Sequence, residues 1–200
     1  MTDRARVWLI GVLAGIVVAT AVLVAGFWLG GAFDPSHRTD GSFVLDEPGV
    51  FQEPLDGINA DASGTSLPDV ALLDADEVEH DLAELTGSPT VINFWFSRCI
   101  PCRRELSDFA AVHAEVGDRI RFVGVNPYDT VSAMQQFADE RDVAYDLWRD
   151  PDQELVDEVG IIGFPVTMLV AADGTVLRQT GEIDADTLRA TIDELFPRGA

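Results

Sequence analysis

The 200-residue sequence predicts an α/β domain with a central mixed sheet flanked by helices, preceded by one N-terminal transmembrane helix. Three features predict it. Val7 to Phe33 is a run of 27 residues without a charge. From Thr65 onward, short apolar segments of strand type alternate with segments of helical period. The last third adds a strand–turn–strand pattern and a closing amphipathic segment.

At about 1.5 Å per residue the apolar run reaches roughly 40 Å, more than a bilayer core of about 30 Å requires. Arg4 and Arg6 precede it and Asp34 is the first charge after it. The positive-inside bias therefore leaves residues 1–6 in the cytoplasm and exports all that follows Phe33. A cleaved signal peptide is the rival reading, with Gly30 and Ala32 as a weak cleavage site. The run exceeds the hydrophobic core of about 7–15 residues in such signals, which favours an anchor over 7–33. Residues 34–64, rich in Asp, Glu, Pro, Gly and Ser, read as an acidic flexible tether, with the packed domain over 65–200.

Thirty-five acidic residues against 13 basic ones, all Arg, give a formal charge of −22. Such a surface disfavours nucleic acid and anionic lipid as partners. Two cysteines in an exported chain suggest a staple, but this chain has apolar residues enough for a core without one.

Within the domain, Val70 to Leu73 reads as a short strand, turning at Asp74 to Glu77. Leu82 and Leu85 share a helical turn that Gly87-Ser88-Pro89 breaks. Thr90 to Phe96 is β-branched and aromatic with apolar residues on both faces, as in a central strand. Leu106, Phe109, Ala110, Val112, His113 and Val116 recur at helical spacing, and His113 on that stripe is a core histidine. Ile120 to Val125 is a second buried strand, Val131 to Arg141 a helix, and Val143 to Trp148 an alternating strand. Asp150-Pro151 opens a short helix; Pro165 to Val170 and Thr175 to Gln179 form a hairpin around Asp173-Gly174. Asp184 or Asp186 caps a last helix carrying Leu188, Ile192 and Leu195.

The chemistry lies at Cys99-Ile100-Pro101-Cys102. With a strand ending near Ser97 and a helix starting near Cys99, unpaired N–H groups and the helix dipole favour a thiolate at Cys99. Arg98, Arg103 and Arg104 act in the same direction. The thiolate is the attacking species in disulfide exchange, so Cys99 is the expected exposed nucleophile and Cys102, one turn inside, the resolving thiol. Pro101 suits a first turn, where a missing N–H costs nothing. No second cysteine pair or H-x₃₋₅-H spacing supplies a metal site, and Arg103 stands where covalent haem attachment needs histidine. Glu105, three residues beyond Cys102 on the same side of the helix, has two readings. It is a partly buried proton acceptor for the thiol, or an acidic residue favoured by the dipole.

Asn93-Phe94-Trp95 followed by Cys99 to Glu105 resembles the active-site segment of the TlpA/ResA/CcmG group of membrane-anchored, thioredoxin-like thiol:disulfide oxidoreductases. Leu67-Pro68-Asp69, Gly160 to Thr167, and Asp173-Gly174 with Gly181 are similar to the same group, so the likeness spans about Leu67 to Phe196. The resemblance implies a thioredoxin-like fold. It makes Phe164-Pro165 a cis peptide facing the cysteines, with a backbone that pairs with the substrate chain. It makes Glu105 a buried active-site glutamate and places Trp95 and Arg98 beside the substrate. Asn93 stands where thioredoxin carries a buried Asp, so proton handling is not expected there. Arg98 departs from the aromatic residue usual before the first cysteine, and Leu106-Ser107 from the proline often found after the glutamate.

The expected activity is reduction of specific protein disulfides, with the haem-binding cysteines of apocytochrome c as the substrate the resemblance suggests. A membrane thiol carrier is the expected electron donor, and the Cys99–Cys102 pair is the redox centre without further cofactor. The Ile-Pro dipeptide lacks the histidine of strongly oxidising relatives. An oxidase on the same fold is the alternative. A metal-binding chaperone is a more distant one, since Asp118 to Ala200 contains no histidine.

Overall fold

A computed structural model describes residues 58–198. The expected cytoplasmic N-terminus, anchor and most of the expected tether lie outside the described residues. Strand β3 (Thr90–Phe94) is buried along its whole length. It pairs in parallel with β4 (Arg121–Asn126) and antiparallel with β6 (Val166–Val170), so neither of its edges is free. This explains a strand apolar on both faces rather than alternating. With β1 (Ala71–Leu73), β2 (Glu79–Asp81), β5 (Asp146–Arg149) and β7 (Val176–Thr180), the seven strands run in the order β2-β1-β5-β4-β3-β6-β7. β4–β5 is the second parallel pair, and the remaining pairings are antiparallel.

Helices cover both faces, as expected. On one side α1 (Ile100–Val116) and α4 (Ala185–Leu195) bring Phe109, Val112, Leu188 and Ile192 against Val91, Phe122 and Leu169. On the other, α2 (Val131–Asp139) brings Met134 and Phe137 against Ile92, Phe94, Val123 and Trp148. His113 is in the first of these layers, edge-on to Phe122 and Tyr145, and burial holds its imidazole below the usual histidine range. Gly124 is needed on β4, because a Cβ there would lie 2.7 Å from Trp95 Nε1 and 2.9 Å from Leu147 Cδ2.

Several element limits differ from the sequence expectation. The strand expected from Val143 begins at Asp146, because the Val143 N–H returns to Ala138 O and closes α2. The helix expected at Asp150-Pro151 is α3 (Glu154–Glu158). Gln153 takes a left-handed φ of 60° just before it, and the Asp150 carboxylate accepts the Val156 N–H. Strand β2, Glu-His-Asp, has no apolar pattern to announce it and exists through its pairing with β1. Asp184, not Asp186, caps α4, with Oδ1 accepting the Thr187 N–H at 2.8 Å.

The domain also starts earlier than Thr65. Ala60 N–H bonds to Gly160 O and Gly64 N–H to Val176 O, and the Gln179 side chain holds Ala60 O and the Ala62 N–H. Residues 59–64, read as the end of a tether, are therefore part of the packed body. Polar composition concealed this, because the partners are backbone groups and side chains from distant segments, which local composition does not announce.

Candidate active site

Strand β3 and α1 generate the cysteine segment. The chain leaves β3 with Trp95 N–H still bonded to Val125 O, and Cys99 N–H then turns back to Phe96 O. Cys99 is the N-cap of α1: its sulfur accepts the Cys102 N–H at 3.2 Å, and its carbonyl accepts the Arg103 N–H at 3.1 Å. A sulfur that takes the place of a capping oxygen receives an otherwise orphaned amide and the positive end of the helix, both of which favour negative charge on it. Cys99 and Cys102 are joined by a disulfide, with Cα atoms 5.3 Å apart. Cys102 is wholly enclosed and Cys99 is 5 % exposed. The attacking thiol expected to be exposed is thus largely covered in the disulfide state, although it is the more accessible of the two.

Ahead of the cysteines, Asp129 in the loop between β4 and α2 accepts the Ser97 N–H at 2.6 Å and the Ser97 hydroxyl at 2.7 Å. It also accepts Asn126 Nδ2 at 2.8 Å. Arg98 is exposed beside this anchor, and Ile100, between the cysteines, is 70 % exposed. Arg104 is bound through two nitrogens to Glu182, so its charge is shared with the start of the segment leading to α4.

On the facing side, the Phe164–Pro165 peptide is cis, as the resemblance implies. Pro165 precedes Val166, which pairs with Phe94, so it lies at the end of the sheet from which β3 departs toward the cysteines. Phe164 packs edge-on against Phe96 at 5.4 Å and against Tyr128 at 5.5 Å. These rings come from three separate segments. Trp95, expected beside the substrate, is instead fully buried and stacked on Phe137 at 5.5 Å. Strand alternation sends it inward where Phe96 stays partly exposed.

Glu105 is 2 % exposed, one turn past Cys102 on α1. Burial pushes its carboxyl up to about 8, against the opposing effect of bonds from Asn93 Nδ2 (2.9 Å) and the Ile183 N–H (3.1 Å). Asn93 Nδ2 also donates to Thr167 Oγ1 at 3.2 Å, and its side-chain oxygen is buried without a partner among the described residues. Asn93 has no proton of its own to exchange; it touches the Glu105 carboxyl as a hydrogen-bond donor. Loss of a charged group at 93 removes a competing acid but keeps a hydrogen-bond donor. Sequence reading also missed Asp129 and Tyr128, whose only local signal was the Asn126-Pro127 strand end.

A dithiol–disulfide pair at a helix N-terminus, leaving a central β-strand opposite a cis-proline, defines a thioredoxin-like thiol:disulfide oxidoreductase. The AhpC/TSA family profile matches residues 63–187, and the chain belongs to that family. Its curated relatives include thiol-disulfide oxidoreductase ResA of Geobacillus thermodenitrificans, 24% identical over 140 residues, covering 68% of this chain and 79% of that protein. ResA of Bacillus subtilis is 23% identical over 130 residues, covering 64% and 73%. Among solved structures, a secreted Mycobacterium tuberculosis disulfide oxidoreductase homologous to E. coli DsbE is similar with a TM-score of 0.57 and 25% identity. It covers 63% of this chain and 96% of its own.

Proposed function

We propose that this protein reduces specific protein disulfides outside the cytoplasm while held to the membrane by residues 7–33. The observation that carries the reading is the Cys99 sulfur capping α1 above a buried, proton-holding Glu105. In the reduced enzyme, Cys99 thiolate attacks one sulfur of the substrate disulfide. The substrate S–S bond breaks, a mixed disulfide forms, and the departing substrate sulfur takes up a proton. Cys102 then passes its proton to the carboxylate form of Glu105 and attacks the Cys99 sulfur. The second substrate thiol leaves, and the Cys99–Cys102 disulfide remains. Two electrons have passed to the substrate, and a membrane thiol carrier restores them. The cycle needs no other cofactor and no metal.

A carboxyl with an affinity near pH 8 exchanges protons at neutral pH, as an acid–base partner for a buried thiol must. The backbone at Phe164-Pro165 and the exposed Arg98 and Ile100 form the surface offered to the substrate chain. The haem-binding cysteine pair of an apocytochrome c is the substrate proposed. The similar Mycobacterium tuberculosis disulfide oxidoreductase is a secreted protein, which supports an extracytoplasmic site.

The test is a trapping experiment. Cys102→Ser is expected to accumulate a mixed disulfide with its substrate in membranes, and Cys99→Ser to lose reduction of protein disulfides entirely. Undiminished reduction by Cys99→Ser overturns the assignment. A potential near about −120 mV, rather than near the about −270 mV of thioredoxin, replaces reductase with oxidase.

A further inference from the structure

Asn59 is separated from Gly163 by 104 residues, yet its carboxamide closes on the loop that delivers the cis peptide. Oδ1 accepts the N–H of Ile162 at 2.7 Å and of Gly163 at 2.8 Å, and Nδ2 donates to Gly163 O at 3.0 Å. One side chain thus satisfies three backbone groups in a stretch that belongs to no helix or strand. Asn59 is itself held. The next residue, Ala60, donates its N–H to Gly160 O at 3.0 Å and accepts Gln179 Nε2 from β7 at 2.7 Å. Gly160 approaches so closely that a Cβ there would lie 2.6 Å from the Ala60 Cβ. The loop so clamped presents Ile162, 73 % exposed, two residues before Phe164.

We propose that Asn59 is a positioning residue for substrate docking. Its carboxamide selects the one backbone conformation of Ile162-Gly163 in which Ile162 and the Phe164–Pro165 peptide meet a protein substrate. The proposal rests on the reading of this site as a protein-disulfide reductase. A loop with few bonds of its own populates several conformations, and apparent affinity falls by the fraction that is competent. Removing the clamp therefore weakens docking and leaves the sulfur chemistry intact, since none of the three bonds reaches Cys99 or Cys102.

The experiment uses the full-length protein in detergent micelles, with insulin as the protein disulfide and oxidised glutathione as the small one. Asn59→Ala is expected to raise KM for insulin about 5- to 20-fold, with kcat changed less than about 2-fold. The rate with oxidised glutathione and the potential of the Cys99–Cys102 pair stay at wild-type values. Asn59→Asp keeps the oxygen that accepts both N–H groups but sets a carboxylate oxygen against Gly163 O, so it recovers only part of the KM. Asn59→Ser cannot span all three groups and carries the alanine expectation if that variant melts early. An unchanged insulin KM in Asn59→Ala and Asn59→Ser overturns the proposal, as does an equal loss toward glutathione. Wild-type protein that reduces glutathione but no protein disulfide overturns the reductase reading, and the docking role with it.

Discussion

The two segments that face each other across the site are held by opposite means. Phe96 to Cys102 is tied largely by its neighbours: Cys99 N–H to Phe96 O, Cys102 N–H to the Cys99 sulfur, Arg103 N–H to Cys99 O. One side chain, Asp129, is brought in from 32 residues away to fix its start. Gly160 to Pro165 has local bonds only at its helix end, from Gly160 to Asp157 and from Ile161 to Val156. Beyond that its backbone bonds come from Asn59 and Ala60, about a hundred residues earlier. The chemistry therefore sits on a locally determined turn, and the proposed recognition surface sits on a loop shaped by a distant residue. The first must hold reacting sulfurs in line, whereas the second can be adjusted without disturbing them.

The largest expected effect concerns Glu105, on the cysteine side of that contrast. Its folded pKa of about 8 lies above the ordinary 4.5. Between those values the native state binds more protons than the unfolded chain, so stability falls as pH rises through the window. The decline is roughly 1.4 kcal/mol per pH unit, with no slope from this group below the unfolded value or above the folded one. Glu105→Gln has no such proton to release. Denaturant unfolding from pH 4.5 to 8.5 should show this slope in the wild type and its absence in the variant. Asp150, also raised by burial, contributes equally to both and cancels. Parallel curves would mean that Glu105 titrates in the native protein as it does in the unfolded chain.

Gly160→Ala attacks the recognition loop. The left-handed φ of 68° and the contact with Ala60 together cost about 2–4 kcal/mol, read as a shift in the urea midpoint. Insulin reduction should suffer more than glutathione reduction. Asp129→Ala attacks the other segment. It leaves Ser97 and Asn126 donors unpaired, costs about 1–3 kcal/mol, and slows insulin and glutathione reduction alike, because it loosens the approach to Cys99. A loss confined to insulin would erase the distinction between the two segments. Asp184→Ala touches neither. Loss of the α4 cap should cost about 1 kcal/mol in thermal or chemical unfolding with both activities intact.

Much of the cysteine side is legible in the sequence because its determinants are adjacent. A buried strand, a short exit and a helix beginning at C-x-x-C place the cap, and the hydrophobic stripe of α1 turns Leu106 and Phe109 inward. The resemblance misled at Trp95, where one step along the chain decides between substrate face and core. Local pattern was silent at β2, which exists only as a partner of β1. It also ended the tether too late, since residues 59–64 advertise loop composition while bonding to β7 and to Gly160.

By itself the sequence determined the α/β class, the position of Cys99 and Cys102 at the start of a helix, and the nearness of Glu105 to Cys102. All follow from periodicity and spacing along one stretch of chain. Tertiary structure alone decided that Glu105 is sealed against Asn93 and the Ile183 amide, that Asp129 holds the approach to Cys99, and that Asn59 clamps the cis-proline loop. Each of these joins residues far apart in sequence, and such contacts become defined only when the sheet order brings their strands together.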